Sequence, residues 1–516
     1  MPQSSANSQK LAHGLCAIFG SDRVSQSNPD RLAYSRDMWP QTLLALRDDR
    51  PMVYPPDFVV WPESTQEIVE LVKFAARDRI PIVPWGAGSG VCGGAAATCG
   101  GIIVDLKRMN RLLSISIEDH LAAFESGIIG QTLEDTLNIR GLTLGHFPAS
   151  IYCSTLGGWL ATRSAGQFSS LYGNIEDMVE CIEAVTGDGR VLKCHSHDQP
   201  ELAQILVGSE GTLGIITAAE IRVHPLPSHR IFHAYEFPNV TSGMEAMRRI
   251  MQRGLKPAVL RLYDRLDTLL ARSGGQGAMN NLLHSATNQL PFSNTRVAKG
   301  LHRTVFKTAL GHAGLLGKLA ENVMPNLKGG CLLILGCQGE KTLTETEITL
   351  CHAEMIAMDA KDLGEEPGLE WYKHRYDVSY KQSPLYASSG FADTMEFATT
   401  WKRLPALYES VKRALSPYAL VLAHFSHAYQ EGCSIYFTFA AASEGRHSSE
   451  NLYNEIWRQG LSAAIKVGAT ISHHHGIGVN KAAFMAHEHG ESMAIFRQLK
   501  KNIDPQGILN PGKMGL

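Results

Sequence analysis

The chain has almost no charge of either sign to spare. Its 48 basic and 50 acidic residues nearly cancel, leaving −2 over 516 residues, so nothing global points to nucleic acid. It lacks any apolar run of about 18 residues, which predicts no membrane span. Met1 to Lys10 is polar and has no apolar centre of the signal-peptide kind. The 10 cysteines form no CxxC pair and no small-domain spacing, which argues against a disulfide scaffold and predicts reduced thiols in a cytoplasmic setting. No internal repeat is present. What remains is the composition of a soluble globular protein, 44% hydrophobic and 19% charged, long enough for two or three domains.

The most informative stretch runs from Ser154 to Val179. Gly157 and Gly158 remove two side chains in a row, and Ala161, Thr162, Ser164 and Ala165 keep the backbone bare, with Arg163 as one positive charge among them. Such a surface lets a flat ligand lie against the main chain, and it equally suits a tight helix contact without a ligand. Upstream, Pro84-Trp-Gly-Ala-Gly-Ser-Gly-Val-Cys-Gly-Gly94 places five glycines in eleven residues after a short strand, the pattern of a loop whose amides converge on a diphosphate. Gly88, Gly90 and Gly93 also satisfy G-x-G-x-x-G, with Asp105 downstream. A Rossmann fingerprint needs the third glycine to open a helix, whereas here a second strand follows at 101–106, so that reading fails. A third bare loop, Gly208 to Ile216, enters another strand.

Periodicity predicts a helix over 64–79, started by the capping box of Ser64 and Glu67, with Ile68, Leu71, Val72 and Ala75 on one face. Residues 1–50 read as short helical pieces interrupted at Asp22, Asp37 and Pro40. Strands are expected at 121–125, at 181–186, and at 190–193 after the Asp188-Gly189 turn. From Pro225 onward, strands near 231–237, 331–335 and 435–439 alternate with helices over 241–252 and 402–415. This predicts an α+β cap. Within it, 274–330 is a basic helical insertion, read either as a cover over a substrate tunnel or as a peripheral membrane contact.

Taken together, PWGAGSGVCGG, STLGGWLATRSAGQFSSLYGNIEDMV and GSEGTLGII resemble the FAD-binding domain of the vanillyl-alcohol-oxidase/PCMH flavoprotein superfamily. HHHGIG (473–478) and NIDPQGILNPGK (502–513) resemble its FAD-linked oxidase C-terminal domain, and the overall pattern is similar to that of the alkyldihydroxyacetonephosphate synthases. The resemblance implies an α+β fold: a PCMH-type FAD-binding domain over 1–225, a cap or substrate domain over 226–470, and a C-terminal segment, 471–516, that returns to the flavin. It places FAD contacts on Pro84, Trp85, Gly86, Ala87, Gly88, Ser89 and Gly90; on Ala149, Ser150, Ile151, Tyr152, Cys153, Ser154 and Thr155; on Thr162, Arg163, Ser164 and Ala165; and on Glu210, Gly211, Thr212, Leu213, Gly214, Ile215 and Ile216. The first loop holds no linking histidine and Cys153 matches no linking cysteine, so non-covalent FAD is expected.

For catalysis, His473, His474 and His475 stand out, since imidazole titrates near neutrality and suits proton transfer with a hydroxyl group. In an extended segment His473 and His475 would share a face and His474 would oppose them, which does not suit zinc, and no metal is expected. The related metal-dependent D-2-hydroxyacid dehydrogenases carry a histidine pair and a glutamate before HG. Tyr436 stands at the second ligand position and His474 replaces the glutamate. In the synthase-like branch such a tyrosine is a catalytic acid/base; otherwise Tyr436 is a ring filling a strand. That branch also carries an arginine in a YxRD-type stretch for a phosphorylated substrate. Here the position is Gln382, beside Lys381, and glutamine supplies neither the charge nor the fork for phosphate. Arg261 matches a second arginine of the family, its plain alternative being a surface ion pair. The expectation is an FAD-dependent oxidoreductase that takes hydride from a hydroxylated small molecule, a 2-hydroxy acid or an alcohol, and passes electrons to an unnamed acceptor. The alternative is an ether-lipid synthase without net redox. A homodimer is left open.

Overall fold

The computed structural model describes residues 2–50, 52–272, 330–377, 386, 390–443 and 446–516. Lys381, Gln382 and nearly all of the expected insertion at 274–330 lie outside the described residues. The chain divides into two compact units. The first comprises Met1–Gly166, Gly173–Leu226 and His474–Leu516; the second comprises Gln167–Tyr172 and Pro227–His473. The C-terminal segment thus joins the first unit from His474 onward, and a short piece of the glycine-poor loop after Gly166 joins the second.

The first unit is built on a four-stranded and a five-stranded sheet. In the smaller sheet Phe58–Val60 and Ile82–Trp85 both run parallel to Ile102–Asp105 between them. These strands are continuous apolar runs buried on both faces, as parallel strands require. The helix Thr65–Asp78 packs on them. Ser64 caps it by accepting the Glu67 amide at 3.3 Å, Arg79 closes it in the left-handed conformation at φ 53°, and Ile68, Leu71, Val72 and Ala75 are fully buried. The five-stranded sheet is antiparallel and ordered Leu112–Ser116, Leu121–Glu125, Ile215–Arg222, Val179–Val185, Val191–His195.

The N-terminus differs from the expected short pieces. Pro2–Phe19 is one 18-residue helix. Leu11, Leu15 and Phe19 recur every four residues, and Leu15 and Phe19 are buried in the core beside Leu71 and Val72. Asp37, read as a breaker, is a buried carboxylate that accepts the amides of Trp39 at 3.1 Å and Ala95 at 3.3 Å.

The second unit is organised by a seven-stranded antiparallel sheet. Its order is Lys361–Gly364, His229–Phe237, Cys331–Gly339, Val259–Tyr263, Leu420–Ala428, Gly432–Ala442, Gly390–Thr400. The three expected strands extend beyond their predicted limits, to His229–Phe237, Cys331–Gly339 and Gly432–Ala442, and the register puts Phe425, Ile435, Phe437, Phe439 and Phe397, all fully buried, on one face of the sheet. The helices Val240–Gln252 and Leu404–Leu415 lie near the expected limits.

Replacing Phe19 with alanine should cost about 3–5 kcal/mol, and Ser64→Ala about 1 kcal/mol. Thermal melts would show the first shift clearly exceeding the second; equal shifts would mean the N-terminal helix is not part of the core.

Candidate active site

In the first unit the glycine-rich loop leaves the end of Ile82–Trp85. Gly88 adopts φ 68°, and a Cβ there would meet the Trp85 ring at 2.3 Å; one on Gly93, at φ 77°, would meet Trp39 at 2.7 Å. The carbonyls of Gly88 and Gly90 are both taken by the Met38 amide. The amides of Ala87, Gly88, Ser89 and Gly90 donate to no acceptor among the described residues. That is the donor set an anionic diphosphate needs, so these residues fit the group the sequence implied.

The second bare stretch folds as a turn at Ile151–Cys153 and a helix at Leu156–Thr162. Thr155 caps the helix by accepting the Gly158 amide at 3.2 Å. Gly157 has a packing reason, since a Cβ there would lie 2.8 Å from that of Ser126; Gly158 meets only Thr155 Oγ1, at 3.3 Å. Ala149, Ser150, Ile151, Tyr152, Cys153 and Ser154 lead into this helix, with Tyr152 and Cys153 exposed. Arg163 ends it at φ 52°, and its guanidinium donates to the Gln204 side chain at 3.2 Å. Ser164 Oγ meets His146 Nε2 at 3.3 Å, and His146 lies edge-on to Trp159. Burial alone drives His146 down to about 3, so it is neutral at physiological pH.

The third loop, Glu210 to Ile216, holds a residue with an unforeseen role. Glu210 is buried at φ 50°, and its two carboxylate oxygens accept the amides of Ile477 at 2.5 Å and Gly478 at 2.7 Å. Gly476 and Gly478, at φ 76° and 54°, allow this approach: a Cβ on the first would sit 2.9 Å from Glu210 Oε1, and one on the second 2.1 Å from the Cys92 carbonyl. Cys92 O in turn accepts the amides of Val479 and Asn480. Asn510 Nδ2 joins the carbonyls of Gly94 and Glu210 at 2.9 and 2.7 Å. The glycine-rich loop, the third loop and the turn after His474 and His475 are therefore one knot. The His473 to His475 segment is bent rather than extended, so the expected alternation of faces does not apply. The rings of His474 and His475 pack edge to face at 4.6 Å.

In the second unit the sheet register lines up Tyr263, His424, Tyr436 and Glu396 across four adjacent strands. Partners in antiparallel ladders share a face, so these groups form one transverse row. His424 stacks on Tyr436 at 4.9 Å with an interplanar angle of 11°. Burial first, and the Arg261 charge second, press His424 down to about 4. Burial, reinforced by Glu396, pushes the Tyr436 phenol above its ordinary value, so it stays protonated. Glu396 is fully buried and accepts Ser472 Oγ at 2.7 Å and the His473 amide at 3.2 Å. Tyr429 OH meets His473 Nε2 at 3.0 Å, and His427, held at Nδ1 by Ser426 and Ser434, lies 5.3 Å from the His473 ring. Among the described residues Arg261 makes no ion pair, and its NH2 approaches His424 Nε2 at 2.6 Å. Glu396 and Tyr429 were not legible as site residues, and Glu210, expected as an FAD contact, was not legible as the anchor of the histidine turn, because each acts on a segment far away in the chain.

The first unit thus carries a loop of bare amides, and the second a transverse row of titratable side chains. Residues 56–195 match the FAD binding domain family and residues 226–514 match the FAD linked oxidases, C-terminal domain; the chain belongs to the FAD-linked oxidases, and FAD is its cofactor. It is 31% identical to alkyldihydroxyacetonephosphate synthase of Dictyostelium discoideum, over 97% of this chain and 80% of the relative. It is 25% identical to glycolate oxidase subunit GlcD of Bacillus subtilis, over 97% and 95%. A solved alkyldihydroxyacetonephosphate synthase superposes with a TM-score of 0.76 at 26% identity, covering 98% of this chain and 84% of that one. Substrate-bound p-cresol methylhydroxylase, at 17% identity, shares the fold with a TM-score of 0.73, covering 98% and 96%. The PCMH-type fold read from the sequence is therefore the fold of the chain. Among the described residues no helix is long and apolar enough to cross a membrane.

The buried neutral histidines set a pH dependence. Unfolded, they take a proton near 6.5; folded, His146 resists until about 3, so stability falls as pH drops through that window. Asp37, raised by burial to about 6, acts in the opposite sense, contributing stability that is lost as pH rises from its unfolded value towards 6. Comparing variants isolates one group. Melting temperature should fall less between pH 6.5 and 4 in His146→Asn than in the native chain; equal slopes would mean His146 is not held neutral.

Proposed function

We propose that the chain oxidises a hydroxylated small molecule, a 2-hydroxy acid or an alcohol, with FAD held non-covalently. FAD, when bound, supplies the acceptor for the substrate's hydride. The observation that carries this reading is the Tyr263–His424–Tyr436–Glu396 row. A phenol held protonated is a donor, so Tyr436 hydrogen-bonds the substrate oxygen and steadies it. The hydroxyl proton goes to the histidines, with His473 the best prepared: Glu396 fixes its backbone and Tyr429 its ring. His474 and His475 serve as further proton carriers, on the turn that Glu210 secures. The amides of Ala87 to Gly90 bind the diphosphate, and the bare surface near Gly158 receives the ring system. Arg261 binds the substrate's polar end.

A second reading, an ether-lipid synthase of the alkyldihydroxyacetonephosphate type, is favoured by the Dictyostelium relative and by Tyr436 with His473, His474 and His475. Against it stands Gln382, where the resemblance calls for a phosphate-binding arginine.

Anaerobic mixing of the yellow protein with 2-hydroxy acids, alcohols and acyl-dihydroxyacetone phosphate separates the two. The proposal expects full bleaching of the flavin by a hydroxy acid or an alcohol, with colour restored by oxygen or a dye. Partial bleaching by the acyl phosphate alone, reversed by a fatty alcohol without any oxidant, would overturn it in favour of the synthase. Acid precipitation should release the flavin into the supernatant; a yellow pellet would disprove non-covalent binding.

A further inference from the structure

The sheet face around Arg261 carries a three-residue chain, of which only Asp267 has no part in the proposed reaction. Arg261 lies on Val259–Tyr263, His424 on Leu420–Ala428, and Asp267 in the first turn of the helix Arg265–Arg272. Arg261 NH2 is 2.6 Å from His424 Nε2, and His424 Nδ1 is 3.1 Å from Asp267 Oδ2. Asp267 is itself set in place, its amide donating to Asp264 Oδ1 at 2.9 Å. Asp264 is buried and bonded to Lys412 at 2.8 Å, so this anchor is rigid.

The protonation states follow from the contacts. A guanidinium has only donors, so the imidazole nitrogen facing it must carry a lone pair. A carboxylate has only acceptors, so the nitrogen facing Asp267 must carry the hydrogen. A neutral imidazole in one tautomer satisfies both, and burial together with Arg261 favours the neutral form. The consequence is electrostatic. Asp267 orients the guanidinium without touching it, because a neutral ring lies between the two charges. Arg261 makes no ion pair with any carboxylate among the described residues. Its buried Nε also has no hydrogen-bond partner among them. A guanidinium held by His424 and by the Tyr263 ring, 5.3 Å from its centroid, with no carboxylate among the described residues to pair its charge, suits an anion.

We propose that Asp267 is a positioning residue that acts through His424 to hold Arg261 as the receptor for a single anionic group, carboxylate or phosphate, on the substrate. This rests on the proposed function only in giving that substrate's polar end a negative charge. Asp267→Asn keeps the shape but replaces the carboxylate with an uncharged amide oxygen, a weaker acceptor for the Nδ1 hydrogen, so the ring and the guanidinium behind it are held less firmly. His424→Gln restores the pairing, with an amide N–H for Asp267 and a carbonyl oxygen for Arg261.

The test is direct binding of oxalate and of inorganic phosphate to the oxidised holoenzyme, by calorimetry and by perturbation of the flavin spectrum, so it needs no turnover. The native protein should bind at least one of them, the stronger naming carboxylate or phosphate as the anion. Asp267→Asn should weaken that binding about tenfold, while His424→Gln stays within about threefold of native. In an Arg261→Ala background Asp267→Asn should have no further effect, which a general structural role would not produce. Native-like binding by Asp267→Asn, or an equal loss with and without Arg261, would overturn the positioning role. Failure of the native holoenzyme to bind either anion would overturn the receptor. Neither result bears on whether an uncharged alcohol bleaches the flavin, so the oxidase reading stands or falls separately.

Discussion

Both oxygens of the Glu210 carboxylate are spent on the main chain of the C-terminal segment, on the amides of Ile477 and Gly478. These two bonds hold the turn after His474 and His475. Buried amides left without acceptors cost about 1–3 kcal/mol each, so the turn cannot leave the carboxylate cheaply. The glycines around it serve the same contact: Gly476 and Gly478 clear room for Glu210 and for the Cys92 carbonyl. Asn510 then ties the carbonyl of Glu210 to that of Gly94, joining the bare-amide loop to the same knot. Burial raises the Glu210 carboxyl above its ordinary range, the backbone amides and the Lys481 and Lys513 charges pulling the other way. Lys513, fully buried with its ammonium on the Ala96 carbonyl at 2.8 Å, is drawn down to about 8. The cradle and the histidine turn are thus set by one group of buried polar residues.

The second unit solves a different problem. A sheet carrying hydrogen-bonding side chains in its interior must keep each in a defined protonation state. Low dielectric does most of this, pushing His424 to its neutral form and Tyr436 to its phenol. The order across the strands does the rest, placing Glu396 beside Tyr436 and Arg261 beside His424. His424 and Tyr436 are therefore each held in one protonation state, by burial and by fixed neighbours.

Much of this was legible from local pattern. The helix Thr65–Asp78 announces itself by its cap and its period, and the glycine-rich loop by bareness after a strand. The triple histidine and Tyr436 were visible as residue types. What could not be read were the partners. Glu210 meets Ile477 across 267 positions, Asp267 meets His424 across 157, and Glu396 meets His473 across 77. No spacing rule connects such pairs; only the folded sheet does. The N-terminal helix reads only as a short piece, because the four-residue recurrence of Leu11, Leu15 and Phe19 covers its second half while Pro2 to Lys10 is polar and shows no apolar stripe. At Gly157 the sequence leaves a flat ligand and a tight contact both open, and the space there is taken by Ser126.

The account stands on Tyr436 as a protonated donor in an oxidation whose proton leaves through histidine. Rapid anaerobic mixing of Tyr436→Phe with a substrate that bleaches the native protein tests this most directly, with the visible spectrum reporting bound flavin in the same experiment. The account predicts full flavin occupancy and reduction slowed by about 10²–10⁴-fold. Full occupancy with reduction at the native rate would contradict it.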